Sequence, residues 1–201
     1  MSYTFIYLAS ASPRRKDLLK QIGVSFKMLL PSDEENIEAL ETINPGESSR
    51  HYVMRVAALK AGSGLVRLRT RHLADAPLLA ADTTVVLGRR ILAKPADRNE
   101  AEAMLLALSG RTHRVLTAVA VAHRKRLDLA LNESHVTMRT LTPKDISRYI
   151  SSREPFGKAG AYGIQGHAAA FVTHITGSHS GIVGLPLAET AQLLASFGVD
   201  F

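Results

Sequence analysis

The stretch Tyr3-Thr4-Phe5-Ile6-Tyr7-Leu8-Ala9-Ser10-Ala11-Ser12-Pro13-Arg14-Arg15-Lys16-Asp17-Leu18-Leu19 changes pattern at its middle. Tyr3 to Ala9 is apolar and rich in aromatic and β-branched side chains, which predicts a strand. Ser10-Ala11-Ser12-Pro13 interrupts it, and from Arg15 to Ile22 the apolar residues Leu18, Leu19 and Ile22 fall at helical spacing. Ser12 as N-cap, Pro13 in the first turn and Gly23 beyond the end bracket that helix. A strand that turns directly into a helix points to layered α/β architecture.

Beyond Gly23 the pattern predicts a short strand at Phe26 to Leu30, the acidic loop Ser32-Asp33-Glu34-Glu35, and a helix from about Gly46 or Glu47 that Gly62 or Gly64 ends. Pro77 to Leu87 predicts a buried strand, turning at Gly88-Arg89 into Ile91-Leu92. Asp97 with Glu100 forms a capping box for a helix over Ala101 to Leu108. Thr112 to His123 and Leu127 to Arg139 predict a hairpin around Arg124-Lys125-Arg126, and Thr142-Pro143-Lys144-Asp145 opens another helix. A glycine-rich segment, Gly157 to Gly166, precedes a strand at Ala169 to Ile175 and a closing helix at Pro186 to Phe197. Strands and helices alternate without strict period, so the sheet is expected to be mixed.

The length, 201 residues, suits one compact unit over 1–201, since domains average ~150 residues. Composition at 46% hydrophobic and 21% charged is that of a globular chain and excludes collagen-like and disordered classes. With no Cys, disulfides, thiolate zinc sites and cysteine nucleophiles are excluded, and any metal must sit on oxygen or imidazole. A formal charge of +7 suits an anionic partner. No apolar run reaches the ~18 residues of a membrane span, so the expectation is a soluble cytoplasmic protein without a membrane partner. The eight histidines show no compact ligand spacing, and Ser178-His179-Ser180 lacks a nucleophile elbow. Arg67 to His72 and the Arg124-Lys125-Arg126 tip are basic without interleaved aromatics, which favours a solvated surface over nucleic-acid binding.

Two segments carry chemistry. At Ser10-Ala11-Ser12-Pro13-Arg14-Arg15 a helix N-terminus offers backbone N–H groups, and two arginines stand where the dipole disfavours cations unless an anion is bound. Ser10, Ser12, Arg14 and Arg15 are therefore candidates for a triphosphate cradle, set against a plain cap with solvated arginines. In Ala80-Ala81-Asp82-Thr83-Thr84, an aspartate within an apolar strand must be paired, metal-bound or at an edge. Magnesium fits such a carboxylate, with Glu34 or Glu35 as a second ligand. Lys60 and Lys94 are candidate point charges for phosphate, though each alone suits the surface equally. In the Gly157 to Gly166 loop, Tyr162 offers a stacking face and Gln165 an amide.

In combination, Leu8-Ala9-Ser10-Ala11-Ser12-Pro13-Arg14-Arg15, Ala81-Asp82-Thr83, Lys94-Pro95, Leu108-Ser109-Gly110-Arg111-Thr112-His113, Lys158 to Gly166 and Gly184-Leu185-Pro186 resemble the Maf family. The match runs in order along almost the whole chain. It implies a two-lobed α/β protein with an ITPase-like active-site cleft, and a homodimer. The implied activity is metal-dependent hydrolysis of a nucleoside triphosphate to monophosphate and pyrophosphate in nucleotide-pool housecleaning, in a family first named for septum formation. By position the resemblance makes Asp82 the proton acceptor, Glu35 the second acidic residue and metal ligand, and Lys60 and Lys94 the phosphate-facing lysines. The metal is expected to be magnesium, with manganese as its alternative.

Arg14, Thr83 and Gln165 resemble the family branch that prefers dTTP and UTP, whereas the 7-methyl-GTP branch carries an aromatic residue, a Gln and a Glu there. A Gln amide both donates and accepts, matching the N–H and carbonyl of uracil or thymine. The chain departs from the family at Leu59, where an acidic residue is usual, at Glu34-Glu35 in place of Asp-Glu, and at Gly177-Ser178-His179 in place of Gly-Ser-Tyr. A 7-methyl-GTP or broad-specificity pyrophosphatase remains the alternative enzyme, and a non-catalytic division regulator binding nucleotide or nucleic acid the alternative of another class.

Overall fold

A computed structural model describes residues 2–32 and 35–201. Among these residues, seven strands form one mixed sheet: β1 (Ile6–Leu8), β2 (Phe26–Met28), β3 (Leu78–Leu87), β4 (Arg90–Leu92), β5 (Thr112–His123), β6 (Arg126–Met138) and β7 (Val172–Thr176). Their order is β2-β1-β3-β5-β6-β7, with β4 paired to β3. Parallel pairs of β1 with β2 and β3 coexist with antiparallel β3–β4 and β6–β7. The α-helices are α1 (Pro13–Gln21), α2 (Ser49–Thr70), α3 (Arg98–Leu108), α4 (Pro143–Ser151), α5 (His179–Val183) and α6 (Leu187–Ser196).

The capping signals act much as the residues dictate. Asp97 accepts the Glu100 N–H at 2.8 Å, while the Glu100 carboxylate reaches the Ala96 N–H at 2.7 Å. Thr142 and Asp145 close a reciprocal capping box. Ser12 holds the N-cap position of α1 but makes no side-chain capping bond.

Three expectations shift. The helix expected to stop at Gly62 or Gly64 continues to Thr70, because Gly64 is a packing position rather than a terminator. A Cβ on it would stand 2.6 Å from Leu78 Cδ1. Of the basic run that follows, Arg67 is buried, whereas Arg69, Arg71 and His72 are exposed, so the solvated reading fails at its first residue. Residues Ala169 to Phe171, expected as strand, belong to a 3-10 segment, His167–Phe171, and β7 starts after it.

The chain divides into two compact units. The first comprises Met1–Asp82, Thr117–Asn132 and Gly184–Phe201. There α1 buries Leu18 and Leu19, and α2 buries Val53, Val56, Ala57 and Ala61. Each fully buried Val or Leu contributes ~1.5–3 kcal/mol, so these helices are held by their apolar faces more than by propensity. The second unit comprises Thr83–Leu116 and Glu133–Val183, and its core gathers Met104, Leu105 and Leu108 of α3 with Ile146, Tyr149 and Ile150 of α4.

Candidate active site

In the first unit, Leu8 of β1 lies opposite Leu79 of β3, and the Ala9 N–H donates to the Leu79 carbonyl at 2.9 Å. The chain leaving β1 at Ser10 therefore turns beside Ala81 and Asp82, at the carboxyl end of a parallel strand pair, where ligands of open α/β sheets bind. Within the turn, Ser10 Oγ accepts from the Ser12 N–H at 3.3 Å and from Arg15 Nη1 at 3.1 Å. Arg15 Nε donates to the Gly184 carbonyl at 2.8 Å, tying the turn to the Gly184-Leu185-Pro186 segment. Burial pulls the Arg15 pKa below its ordinary value; the Asp82 and Glu41 carboxylates oppose this, and Arg14 adds to it. Arg14 Nε is buried without a hydrogen-bond partner among the described residues. The first turn of α1 thus presents uncapped backbone and a guanidinium with an unused donor.

Asp82 is buried, as its apolar strand implies, and is paired. Lys60 Nζ donates to Asp82 Oδ1 at 2.6 Å and to Glu41 Oε1 at 2.7 Å, so one ammonium links two carboxylates. A buried carboxylate is tolerable only with such compensation. Glu41 ends the 3-10 segment Glu38–Glu41, which the Tyr52 hydroxyl holds by donating to the Glu41 carbonyl at 3.0 Å. Burial raises the Tyr52 pKa, and Asp82 and Glu41 raise it further, keeping the phenol neutral. Sequence reasoning missed Glu41: it stands in a polar stretch without apolar periodicity. The one available signal was a lysine on an inward helix face, which calls for an anion.

Glu35 has a different setting. Arg67 grips its carboxylate with Nε at 2.9 Å and Nη2 at 2.5 Å, and the Ser63 hydroxyl and Ser32 N–H add bonds at 3.3 and 3.1 Å. The Arg67 hydrogen bond, against the penalty of burial and with help from Ser32, holds the Glu35 pKa down at about 2. Arg67 Nη1 also donates to the Leu29 carbonyl at 3.0 Å. Lys60, Ser63 and Arg67 share one face of α2 by their spacing, so this helix presents both cations. Glu34 and Asp33 lie outside the described residues. Leu59, in place of the family's acid, is exposed.

The second unit holds the other candidates. Thr83 follows Asp82 on β3 and is half-buried; Lys94 is exposed just after β4; Gln165 is exposed in a loop. Tyr162 is buried, with its hydroxyl 2.7 Å from His113 Nε2, so it offers no open stacking face. Burial lowers the His113 pKa to about 4, and its Nδ1 has no partner among the described residues. The described residues contain no group of three His, Cys, Asp or Glu able to hold a metal. No helix among them is long and apolar enough to cross a membrane.

The family model described as Maf-like protein matches residues 5–197. The chain belongs to the Maf family. Full-length similarity to named relatives agrees with this. The Maf chain is 58% identical over 199 residues to a protein of Cupriavidus pinatubonensis, covering 99% of this chain and 100% of the relative. It is 56% identical over 195 residues to one of Ralstonia nicotianae, covering 96% and 94%. It is 53% identical over 202 residues to one of Burkholderia pseudomallei, covering 100% and 97%. All three relatives carry the name dTTP/UTP pyrophosphatase.

Proposed function

We propose that this chain hydrolyses dTTP and UTP to the monophosphate and pyrophosphate, clearing these nucleotides from the cytoplasmic pool, and that it works as a homodimer. The observation that carries the reading is the buried Asp82 carboxylate, held by Lys60 beside the arginine-bearing start of α1. An anion binder alone has no use for a carboxylate at that place.

Asp82 accepts a proton from water, whose oxygen attacks a phosphorus of the triphosphate chain as pyrophosphate leaves. Lys60 orients the Asp82 carboxylate for that proton. Backbone N–H groups of the first α1 turn and the Arg14 guanidinium grip phosphate oxygens, while Arg15 keeps the turn in shape through Ser10 and Gly184. Ser12 and Thr83 add hydroxyl contacts, and Lys94 adds a charge against the leaving pyrophosphate. Such chemistry is mainly positioning and charge neutralisation.

The donors suit a hard divalent ion. Asp82 and Glu41 converge on a point already favourable to positive charge, and magnesium commonly takes one or two carboxylates together with substrate oxygens and water. Asp82 with Glu41 would hold magnesium or manganese, and Glu35, the ligand implied by the resemblance, would join once released from Arg67. When bound, the ion neutralises phosphate charge and polarises the reacting phosphorus. Gln165 reads the base through its paired donor and acceptor.

Pyrophosphate release from dTTP, UTP, CTP, GTP and 7-methyl-GTP, with and without magnesium, tests the reading. The expected result is magnesium-dependent turnover fastest with dTTP and UTP. Preference for 7-methyl-GTP would overturn the substrate assignment, and salt-sensitive DNA binding without turnover would overturn the enzymatic one.

A further inference from the structure

The loop carrying Gln165 is fastened on both sides by one acidic side chain. Glu154 follows α4 and is half-buried. Its Oε1 accepts from the Tyr149 hydroxyl at 2.9 Å, and its Oε2 accepts from the His167 backbone N–H at 2.9 Å and lies 3.0 Å from His167 Nδ1. The Tyr149 hydroxyl in turn accepts from the Gly163 N–H at 3.3 Å. Gly163 stands two residues before Gln165 and His167 two residues after it. The Gly166 N–H closes the turn onto the Gly163 carbonyl at 3.1 Å. A Cβ on Gly166 would overlap the Glu154 carboxylate, so only glycine lets the loop settle there. The Lys158 ammonium donates to the Glu154 carbonyl, joining the start of the loop to the same residue. Ile164 packs on the unit's core while Gln165 next to it is exposed.

We infer that Glu154 and Tyr149 are positioning residues for Gln165, fixing the backbone on either side so that its amide meets the pyrimidine base at one height and angle. The inference rests on the reading of Gln165 as the residue that recognises the base. A flexible glutamine on a glycine-rich loop would lose backbone and side-chain freedom on each binding event, and a loop already ordered avoids that loss. Phosphate binding belongs to other residues and does not depend on this fastening.

The test measures KM for dTTP and the competitive Ki of 2-deoxyribose 5-triphosphate, which lacks the base, in Glu154→Gln, Tyr149→Phe, Gln165→Ala and the Glu154→Gln/Gln165→Ala pair. Tyr149→Phe removes one hydroxyl from a side chain that otherwise packs unchanged, which keeps the test open should Glu154→Gln fold poorly. Each single variant is expected to raise KM for dTTP about tenfold while leaving the Ki within about twofold, and the double variant to show no further rise. Because KM and Ki do not change with the fraction of active protein, a general loss of folding cannot imitate this result. If Gln165→Ala raises KM but Glu154→Gln and Tyr149→Phe do not, the positioning role is wrong and the base-reading role stands. If Gln165→Ala leaves KM unchanged, the base-reading role fails and the positioning role with it.

Discussion

Ion pairs between cations and carboxylates organise one region of this molecule, and hydrogen bonds gathered on a single carboxylate organise the other. Around Asp82, Lys60 serves two carboxylates, and Arg14 and Arg15 stand at the start of a helix. Around Gln165, the loop is held by the Glu154 carboxylate, which accepts from the Tyr149 hydroxyl and the His167 N–H, and by the Gly163 N–H donating to Tyr149. Each suits its proposed partner. A triphosphate brings charge that can replace existing ion pairs, whereas a base is told from another base only by groups that hold still.

The largest expected effect breaks the charged region alone. Asp82→Asn keeps the volume and leaves Lys60 with Glu41, yet removes the proposed proton acceptor. Pyrophosphate release from dTTP should fall about a hundredfold or more, the usual worth of a general base, with little change in thermal unfolding. Comparable turnover by the variant would sink the assigned role.

Acid should separate the two regions next. His113 has its folded pKa lowered to about 4 from an ordinary 6.5, and burial is the cause. Its contribution is complete above the unfolded value and is lost as pH falls from about 6.5 through about 4, because the unfolded chain takes the proton first. The full loss is on the order of 3 kcal/mol. Glu35, held near 2 by Arg67 against an ordinary 4.5, keeps its contribution down to about 4.5 and loses it as pH falls from there through about 2. Urea unfolding at several pH values should show this slope, and the His113→Phe/Tyr162→Phe pair should flatten it.

What the sequence made legible follows the same division of physics. Local signals such as Pro13 after Ser12, Asp97 with Glu100, and Thr142 with Asp145 act within one turn and predict helix starts. Asp82 was legible because an aspartate among Leu78, Leu79, Ala80 and Ala81 needs a partner wherever the chain folds. Which partner it takes is a matter of tertiary structure. Glu41 is 41 residues from Asp82 and Glu35 is 32 from Arg67, and no periodicity joins such pairs. Arg67 looked like its basic neighbours because composition does not say which of them faces inward. Gly64 looked like a helix end because its reason for being small, Leu78, lies on another element.

Smaller in effect is a break in the region that carries Gln165. Gly160 has φ +69°, its N–H donates to the Ala93 carbonyl, and an added Cβ would stand 2.8 Å from Val85 Cβ. Gly160→Ala combines left-handed strain with overlap against a β-branched side chain that has little freedom to move. The expected cost is about 2 kcal/mol, seen as a fall of about 4–8 °C in Tm. An unchanged Tm would show that the loop yields more readily than its neighbours suggest.

The finest comparison lies between two carboxylates of the charged region. Glu41 shares the Lys60 ammonium with Asp82, whereas Glu35 is enclosed by Arg67, Ser63 and Ser32. A carboxylate that shares a cation with the proposed proton acceptor feels any charge brought to that point, and one fastened by a guanidinium fork first has to give up strong bonds. Glu41→Gln should therefore lower kcat about tenfold and raise the magnesium concentration needed for half-maximal rate, with only slight loss of stability. Glu35→Gln should leave Arg67 buried with a weaker partner, so its main effect should be on urea unfolding, and most of its activity should survive at moderate temperature. Measuring both variants for rate, metal requirement and stability decides which acid serves the reaction. If Glu35→Gln proves the more damaging to rate at full magnesium while Glu41→Gln is silent, the Arg67 fork opens when substrate binds, and the acid implied by the family resemblance is the working one.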